Sequence, residues 1–147
     1  MDHVVYVDHK TNELEKLLDG SKKMIIRGAA GRKMPHGRVN PGDVLYLINN
    51  NAEGFVLARA VVTSVFSSEK MITEDSHNLV KEIQPMLQLT LAQMERWSGK
   101  RYLVIIEVSQ VEKIEPFLLD KSGYSNMDDW LFVKEIALVR RSNKVNP

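Results

Sequence analysis

Residues 20–43 read GSKKMIIRGAAGRKMPHGRVNPGD. Up to Gly42 this stretch contains six lysine and arginine residues and one histidine, and neither aspartate nor glutamate. The whole chain of 147 residues is almost neutral, with 20 Lys and Arg against 19 Asp and Glu, so positive charge is concentrated here. An uncompensated basic segment next to glycines attracts anions, most often phosphates or nucleic acid. We therefore predict an anion-binding surface; the alternative is a solvated basic loop without a ligand. The predicted surface consists of Lys22, Lys23, Arg27, Arg32, Lys33 and Arg38.

Short motifs in and after this stretch resemble the ASCH domain, a family within the PUA-like superfamily. Residues 20–27 (GSKKMIIR) resemble its GxKxxExR signature, except that Ile25 stands where the acidic residue is usual. Residues 39–45 (VNPGDVL) resemble the segment that leads into the following strand in the family. Residues 58–65 (ARAVVTSV) resemble the strand that follows in the family. Residues 97–107 (WSGKRYLVIIE) resemble the end of a helix, a turn and a later strand of the family.

Apolar and β-branched runs predict strands, at residues 4–7, 22–27, 44–48, 55–66, 102–108, 114–119 and 130–139. A first helix is expected between Asn12, as part of a capping box, and Gly20. A second helical region, from Thr73 to Gly99, should be kinked or split by Pro85. The glycine-containing segment 28–31 is expected to be a loop.

These elements alone leave an open α+β sheet and a barrel equally possible. The ASCH resemblance implies a PUA-like fold. We therefore predict an α+β protein with a small mixed β-barrel of five to six strands and two helical segments. The length suits a single domain over residues 1–147, with a core at about residues 3–139 and a basic tail at 140–147.

Composition excludes several functional classes. The chain has no cysteine, which excludes disulfides and zinc ribbons. The four histidines show no ligand spacing, so we expect no metal and no cofactor. There is no long apolar run and no apolar leader, so we expect a cytoplasmic protein that does not act with membranes.

Lys22 is the one candidate catalytic group. One branch of ASCH proteins removes the acetyl group from acetylated cytidine with a Lys, a Thr and a Glu. By resemblance the Lys corresponds to Lys22, the Thr to Ile25 and the Glu to a position near Gln88. Ile cannot donate a hydrogen bond and Gln cannot exchange a proton. The resemblance therefore argues against this reaction in this chain.

Three functions remain open at this point. The first is binding of RNA or a nucleotide-like ligand in a basic cleft that contains Lys22, Arg27 and the loop up to Arg38. The second is hydrolysis of a modified nucleoside or RNA, by a nucleoside amidohydrolase or ribonuclease that uses Lys22. The third is a protein-interaction or regulatory module. Four aromatic residues either stack on bases or belong to the core: Trp97, Tyr102, Tyr124 and Trp130.

Overall fold

The structure is a computed structural model and describes residues 1–125 and 128–141. Its strands are β1 (Asp2–Val7), β2 (Met24–Ala29), β3 (Val44–Asn49), β4 (Phe55–Ser67), β5 (Tyr102–Leu118) and β6 (Trp130–Lys134). Its helices are α1 (Glu13–Leu18), α2 (Thr73–Leu87) and α3 (Leu91–Trp97), and a 3-10 turn follows β6 at Ile136–Val139.

The six strands form one curled sheet in the order β2-β5-β4-β3-β1-β6. The sheet is mixed, because β1 pairs parallel to β3 while the other neighbours are antiparallel. It curls into a half-barrel whose edge strands are β2 and β6. The predicted small α+β fold with a curled mixed sheet of up to six strands is confirmed.

Several strand boundaries differ from the prediction. The strand predicted over residues 22–27 is β2, which runs over Met24–Ala29, so Lys22 and Lys23 precede it. The predicted strands at 102–108 and 114–119 are one continuous strand, β5. Three register shifts in its pairing with β4 let this long strand bend, as β-bulges do. The strand predicted over 130–139 ends at Lys134, whose φ of 58° is left-handed and incompatible with an extended ladder.

The interior of the half-barrel is the main core. Side chains alternate along a strand, so Ile25 of β2 points into this core while Ile26 points out beneath the helices. Helix α1 contributes Leu14 and Leu17 to the interior. On the outer face, α2 and α3 cover β2 and β5 with an apolar cluster that includes Leu87. Arg27 is two residues beyond Ile25, so it also points toward the interior.

The second helical region is split, as predicted, but Pro85 lies inside α2. The helix continues to Leu87, and the break comes at Gln88, which has a left-handed φ of 52°. Helix α3 then starts with a capping box in which Thr90 and Gln93 each accept a hydrogen bond from the other's backbone N–H. The capping box predicted at the start of α1 is absent, because Asn12 is itself left-handed with a φ of 57° and its side chain makes no cap bond.

Within residues 1–125 and 128–141, no helix has the length and apolarity needed to cross a membrane. Of the predicted basic tail, residues 142–147 lie outside the described part of the chain. Arg140, at the start of that tail, forms a β-bridge with Leu119.

Gly28 belongs to β2 rather than to the predicted loop, which starts only at Ala30. A Cβ at Gly28 would lie 2.9 Å from Leu103 Cδ2 and 3.1 Å from Lys100 Cβ. Leu103 is fully buried, so it has little room to move. The glycine therefore permits the close approach of β2 to β5 and to the segment after α3.

We expect Gly28→Ala to lower the free energy of unfolding by about 1–3 kcal/mol, the usual cost of overpacking a core. Urea unfolding would measure it. Gly31→Ala is the matched control, because a Cβ there has no neighbour within 4 Å. Equal unfolding midpoints for the two variants would contradict the close approach at Gly28.

Candidate nucleotide-binding cleft

Arg27 bridges the open side of the half-barrel. From edge strand β2, its Nη2 donates a hydrogen bond of 2.7 Å to the carbonyl of Tyr6 on β1. Its guanidinium carbon lies 5.6 Å from the ring centroids of both Trp97 and Trp130. The Arg27 side chain is only 9% exposed. A buried cation thus links the end of α3 and two strands at the far side of the sheet.

One donor of Arg27 is not used. Arg27 Nη1 donates to the Ile26 carbonyl at 2.8 Å, but the buried Nε has no hydrogen-bond partner. The carboxylate of Asp129, which is 41% exposed, approaches this Nε only to 3.5 Å. The guanidinium is therefore held by two carbonyls and one long contact to a carboxylate, and its charge is only partly neutralised.

Two cavities meet at Arg27, and together we call them the Arg27 cleft. The first, the basic pocket, has a volume of about 350 Å³. Its cationic side chains are Arg27, Lys33, Arg96 and Lys100. The second, the mixed pocket, has a volume of about 450 Å³. It is lined by both charged and neutral polar side chains, including Asp8, Thr11, Glu13, Gln93, Lys121 and Asp128. Arg27, Arg96, Trp97 and Asp129 line both pockets.

Trp97 is the aromatic residue at the junction of the two pockets. It ends α3 and is partly exposed. The guanidinium carbon of Arg96 lies 4.4 Å from its ring centroid, which is within cation–π range. Trp130 is instead a core residue, 3% exposed, whose Nε1 donates to His3 Nδ1. Of the four aromatic residues considered from the sequence, Trp97 and Tyr102 line the cleft.

The six predicted anion-binding residues are not brought together. Arg27 and Lys33 line the basic pocket. Lys23 and Arg38 are exposed. Arg32 forms an exposed ion pair of 3.1 Å with Glu69. Lys22 is buried, 2% exposed. Their role in anion binding stays a prediction.

Lys22 forms a buried ion pair. Its Nζ lies 3.4 Å from Glu13 Oε2 and donates a hydrogen bond to the carbonyl of Leu87. Glu13 Oε1 accepts from the backbone N–H of Asp8 at 2.8 Å. Burial lowers the pKa of Lys22; the Glu13 carboxylate opposes this shift and the positive charge of Arg27 adds to it. Glu13 lines the mixed pocket, so the carboxylate of the pair reaches the cleft.

The two positions that correspond to the Thr and the Glu of the ASCH hydrolases hold no reactive group in the cleft. Ile25 is fully buried in the interior core. Gln88 ends α2, and its Nε2 donates to the carbonyl of Pro85. Within the described part of the chain, no group of three or more His, Asp or Glu could hold a metal.

Sequence reasoning missed Asp8, Thr11, Gln93, Arg96 and Lys100. A signal for Asp8 was present, since it directly follows β1, while Asn50 directly follows β3. Both residues line the mixed pocket. Because β1 and β3 are parallel, their carboxyl ends meet at one edge of the sheet, where ligands commonly bind. Arg96 and Lys100 gave no such signal, because their position depends on how α3 packs.

The lowered pKa of Lys22 predicts a pH-dependent stability. Between the folded pKa and the ordinary value of 10.5, the unfolded chain binds more protons than the folded chain. The free energy of unfolding should therefore rise with pH in that window, by about 1.4 kcal/mol for each pKa unit of the shift. Lys22→Met should lack this rise. Urea unfolding of wild type and variant, at neutral pH and just below 10.5, measures the difference.

Lys81→Met is the control, because it removes an exposed lysine of α2. Its free energy of unfolding should depend on pH as that of the wild type does. A constant difference in unfolding free energy between wild type and Lys22→Met across the pH range would contradict the shift.

Comparison with known proteins shows the fold. An ASCH protein from Zymomonas mobilis superposes with a TM-score of 0.65 and 12% identity, over 93% of this chain and 91% of that chain. A mutant ASCH protein from the same organism gives a TM-score of 0.68 and 11% identity, over 93% of each chain. No protein-family model matches the sequence, and no curated protein matches it. The order of strands, the helices and these superpositions together show that the chain has an ASCH-type fold.

Proposed function

We propose that this protein binds RNA or a nucleotide-like ligand in the Arg27 cleft. The observation that carries the proposal is Arg27 itself, a largely buried arginine that lines both pockets where they meet. An arginine suits phosphate and nucleic-acid recognition, since its planar fork of donors matches phosphate oxygens.

The charge of the basic pocket supports this ligand class. Four cations line it, and Asp129 is the acid among its described lining residues. The chain as a whole carries a formal net charge of only +1. The excess of positive charge is therefore local, and a local excess inside a concave surface attracts anionic ligands.

The aromatic lining supports a ligand with a base. Trp97 is partly exposed at the junction and Tyr102 lines the basic pocket. Stacking of a base on an aromatic side chain contributes roughly 1–3 kcal/mol and tolerates every base. Cations beside such a surface are typical of proteins that bind single strands.

We expect Lys33→Gln/Lys100→Gln to weaken binding of fluorescent single-stranded RNA and to flatten its salt dependence. The slope of log affinity against log salt should fall by about 0.7 for each phosphate that the variant no longer neutralises. Fluorescence anisotropy at a series of salt concentrations would measure both effects.

Lys81→Gln/Lys113→Gln is the matched control for this experiment, because both lysines are exposed outside the cleft lining and the net charge changes equally. Absence of salt-sensitive RNA binding by the wild-type protein would refute the proposed function. Equally weakened binding by the two double variants would place the RNA elsewhere on the surface.

Asp129 competes with a ligand phosphate for Arg27. Its carboxylate lies 3.5 Å from Arg27 Nε, where it partly neutralises the guanidinium. We expect Asp129→Asn to strengthen RNA binding about two- to fivefold, because the loss of this long, partly exposed ion pair leaves more of the guanidinium charge for the phosphate. Anisotropy at one fixed salt concentration measures the change.

Asp128→Asn removes the same charge from the adjacent residue, whose Oδ2 accepts from the Ser125 backbone N–H instead. Its effect should be smaller than that of Asp129→Asn. An equal increase in affinity from both variants would show a general charge effect and no specific competition for Arg27.

A second candidate function is hydrolysis of a modified nucleoside or RNA. The observation that favours it is the lowered pKa of Lys22 next to Glu13, which lines the mixed pocket. Lys22 Nζ is already bound to Glu13 and the Leu87 carbonyl, which argues for a structural role. Turnover of acetylated cytidine that is abolished in Lys22→Met and kept in Lys81→Met would favour the enzyme. The cytoplasmic location and the protein-interaction alternative stay predictions from the sequence.

A further inference from the structure

We propose that the Arg27 cleft binds a nucleotide in one direction, with phosphate in the basic pocket and the base in the mixed pocket, and that it prefers a base carrying an exocyclic amino group. This inference rests on the proposed function and adds to it an orientation and a class of base. Two observations carry it: the charge of each pocket and the hydrogen bonds inside the mixed pocket.

The two pockets differ in charge. The basic pocket has cations at Lys33 and Lys100 that the mixed pocket lacks. The mixed pocket has carboxylates at Asp8, Glu13 and Asp128 that the basic pocket lacks. A phosphate would be repelled by those carboxylates and attracted by the lysines. The phosphate of a nucleotide therefore belongs in the basic pocket.

Around Gln93, the hydrogen bonds of the mixed pocket use the amide and hydroxyl donors and leave carboxylate acceptors free. Gln93 Oε1 accepts from the Thr90 backbone, which fixes the amide. Gln93 Nε2 then donates to Asp8 Oδ2 at 3.3 Å and to Thr11 Oγ1 at 3.1 Å, so both of its N–H groups are used. The Thr11 hydroxyl donates to the Asp8 carbonyl at 3.4 Å.

The Asp8 carboxylate keeps acceptor capacity after these bonds. It accepts from the Lys10 backbone at Oδ1 and from Gln93 at Oδ2, while a carboxylate offers about four lone-pair sites. Asp8 is also partly exposed to the pocket. The complement of this surface is a hydrogen-bond donor, and adenine offers its exocyclic amino group at the position where hypoxanthine has a carbonyl oxygen.

Arg27 lies between the basic pocket and the mixed pocket. It lines both pockets, its side chain is only 9% exposed, and its Nε has no hydrogen-bond partner. Its positive charge attracts the sugar–phosphate linkage of a nucleotide that spans the two pockets. Trp97, at the same junction, is placed to stack on the base at the mouth of the mixed pocket.

Calorimetric titration with adenosine monophosphate, inosine monophosphate and adenosine tests this orientation. Wild type should bind adenosine monophosphate about tenfold more tightly than inosine monophosphate, the effect of one hydrogen bond to a charged acceptor. Asp8→Asn should bring the ratio of the two affinities, adenosine monophosphate to inosine monophosphate, toward one. The reason is that an amide nitrogen, which is a donor, replaces one carboxylate oxygen, which is an acceptor. Thr11→Val should also lower the ratio, because it frees an N–H of Gln93 that can bind the oxygen of hypoxanthine.

Lys33→Gln/Lys100→Gln should reduce the preference for adenosine monophosphate over adenosine and leave the adenine-to-hypoxanthine ratio unchanged. Lys81→Gln/Lys113→Gln should change neither ratio. A short oligoadenylate in competition distinguishes a free nucleotide from a nucleotide within RNA as the natural ligand.

Equal affinity of wild type for the adenine and hypoxanthine nucleotides would overturn the base preference. A change of that ratio in the lysine double variant would overturn the orientation. If RNA binds and no mononucleotide does, this inference fails while the proposed function stands. If neither RNA nor a mononucleotide binds, both fail.

Discussion

The guanidinium of Arg27 is the interaction on which the architecture of the cleft depends. The sheet is open between β2 and β6, so no strand ladder connects these edges. Arg27 instead reaches from β2 to the Tyr6 carbonyl on β1 and to the carboxylate before β6. Only a long side chain with several donors can span such an opening while its charge remains partly paired. The same side chain that holds the opening together also lines both pockets.

The topology brings distant segments to this opening. Strands β1 and β3 are parallel neighbours, so the polar residues after them meet at one edge of the sheet. The break after Pro85 gives α3 its own start at Thr90, and α3 ends with Arg96 and Trp97 beside Arg27. A single uninterrupted helix would have continued in the direction of α2. The split therefore positions both the capping residue Gln93 and the aromatic residue of the cleft.

Lys22 belongs to the basic stretch that stands out in the sequence, but its contacts are those of a residue that stabilises the fold. Its side chain is buried against Glu13 and the end of α2, and the partner carboxylate offsets much of the cost of removing the ammonium from water. The pair joins α1 to the segment that leads into β2 and to α2. Arg27, five residues later, is also buried, yet its delocalised guanidinium still lines both pockets.

Local sequence determined the strands β1, β3 and β4 through their apolar runs, and it predicted a split of the second helical region. Short motifs carried the resemblance to ASCH proteins. Each of these signals acts over only a few residues. Local sequence also placed Arg27 and Lys33 among the candidate binding residues. Tertiary structure decided that two predicted strands are one bent β5. It also decided that Lys22 is buried and does not line the pockets, whereas Arg96 and Lys100 do. These outcomes depend on contacts between residues far apart in the chain, such as Lys22 with Leu87 and Arg27 with Asp129. Charge is visible in a sequence, but burial and pairing are properties of the folded chain.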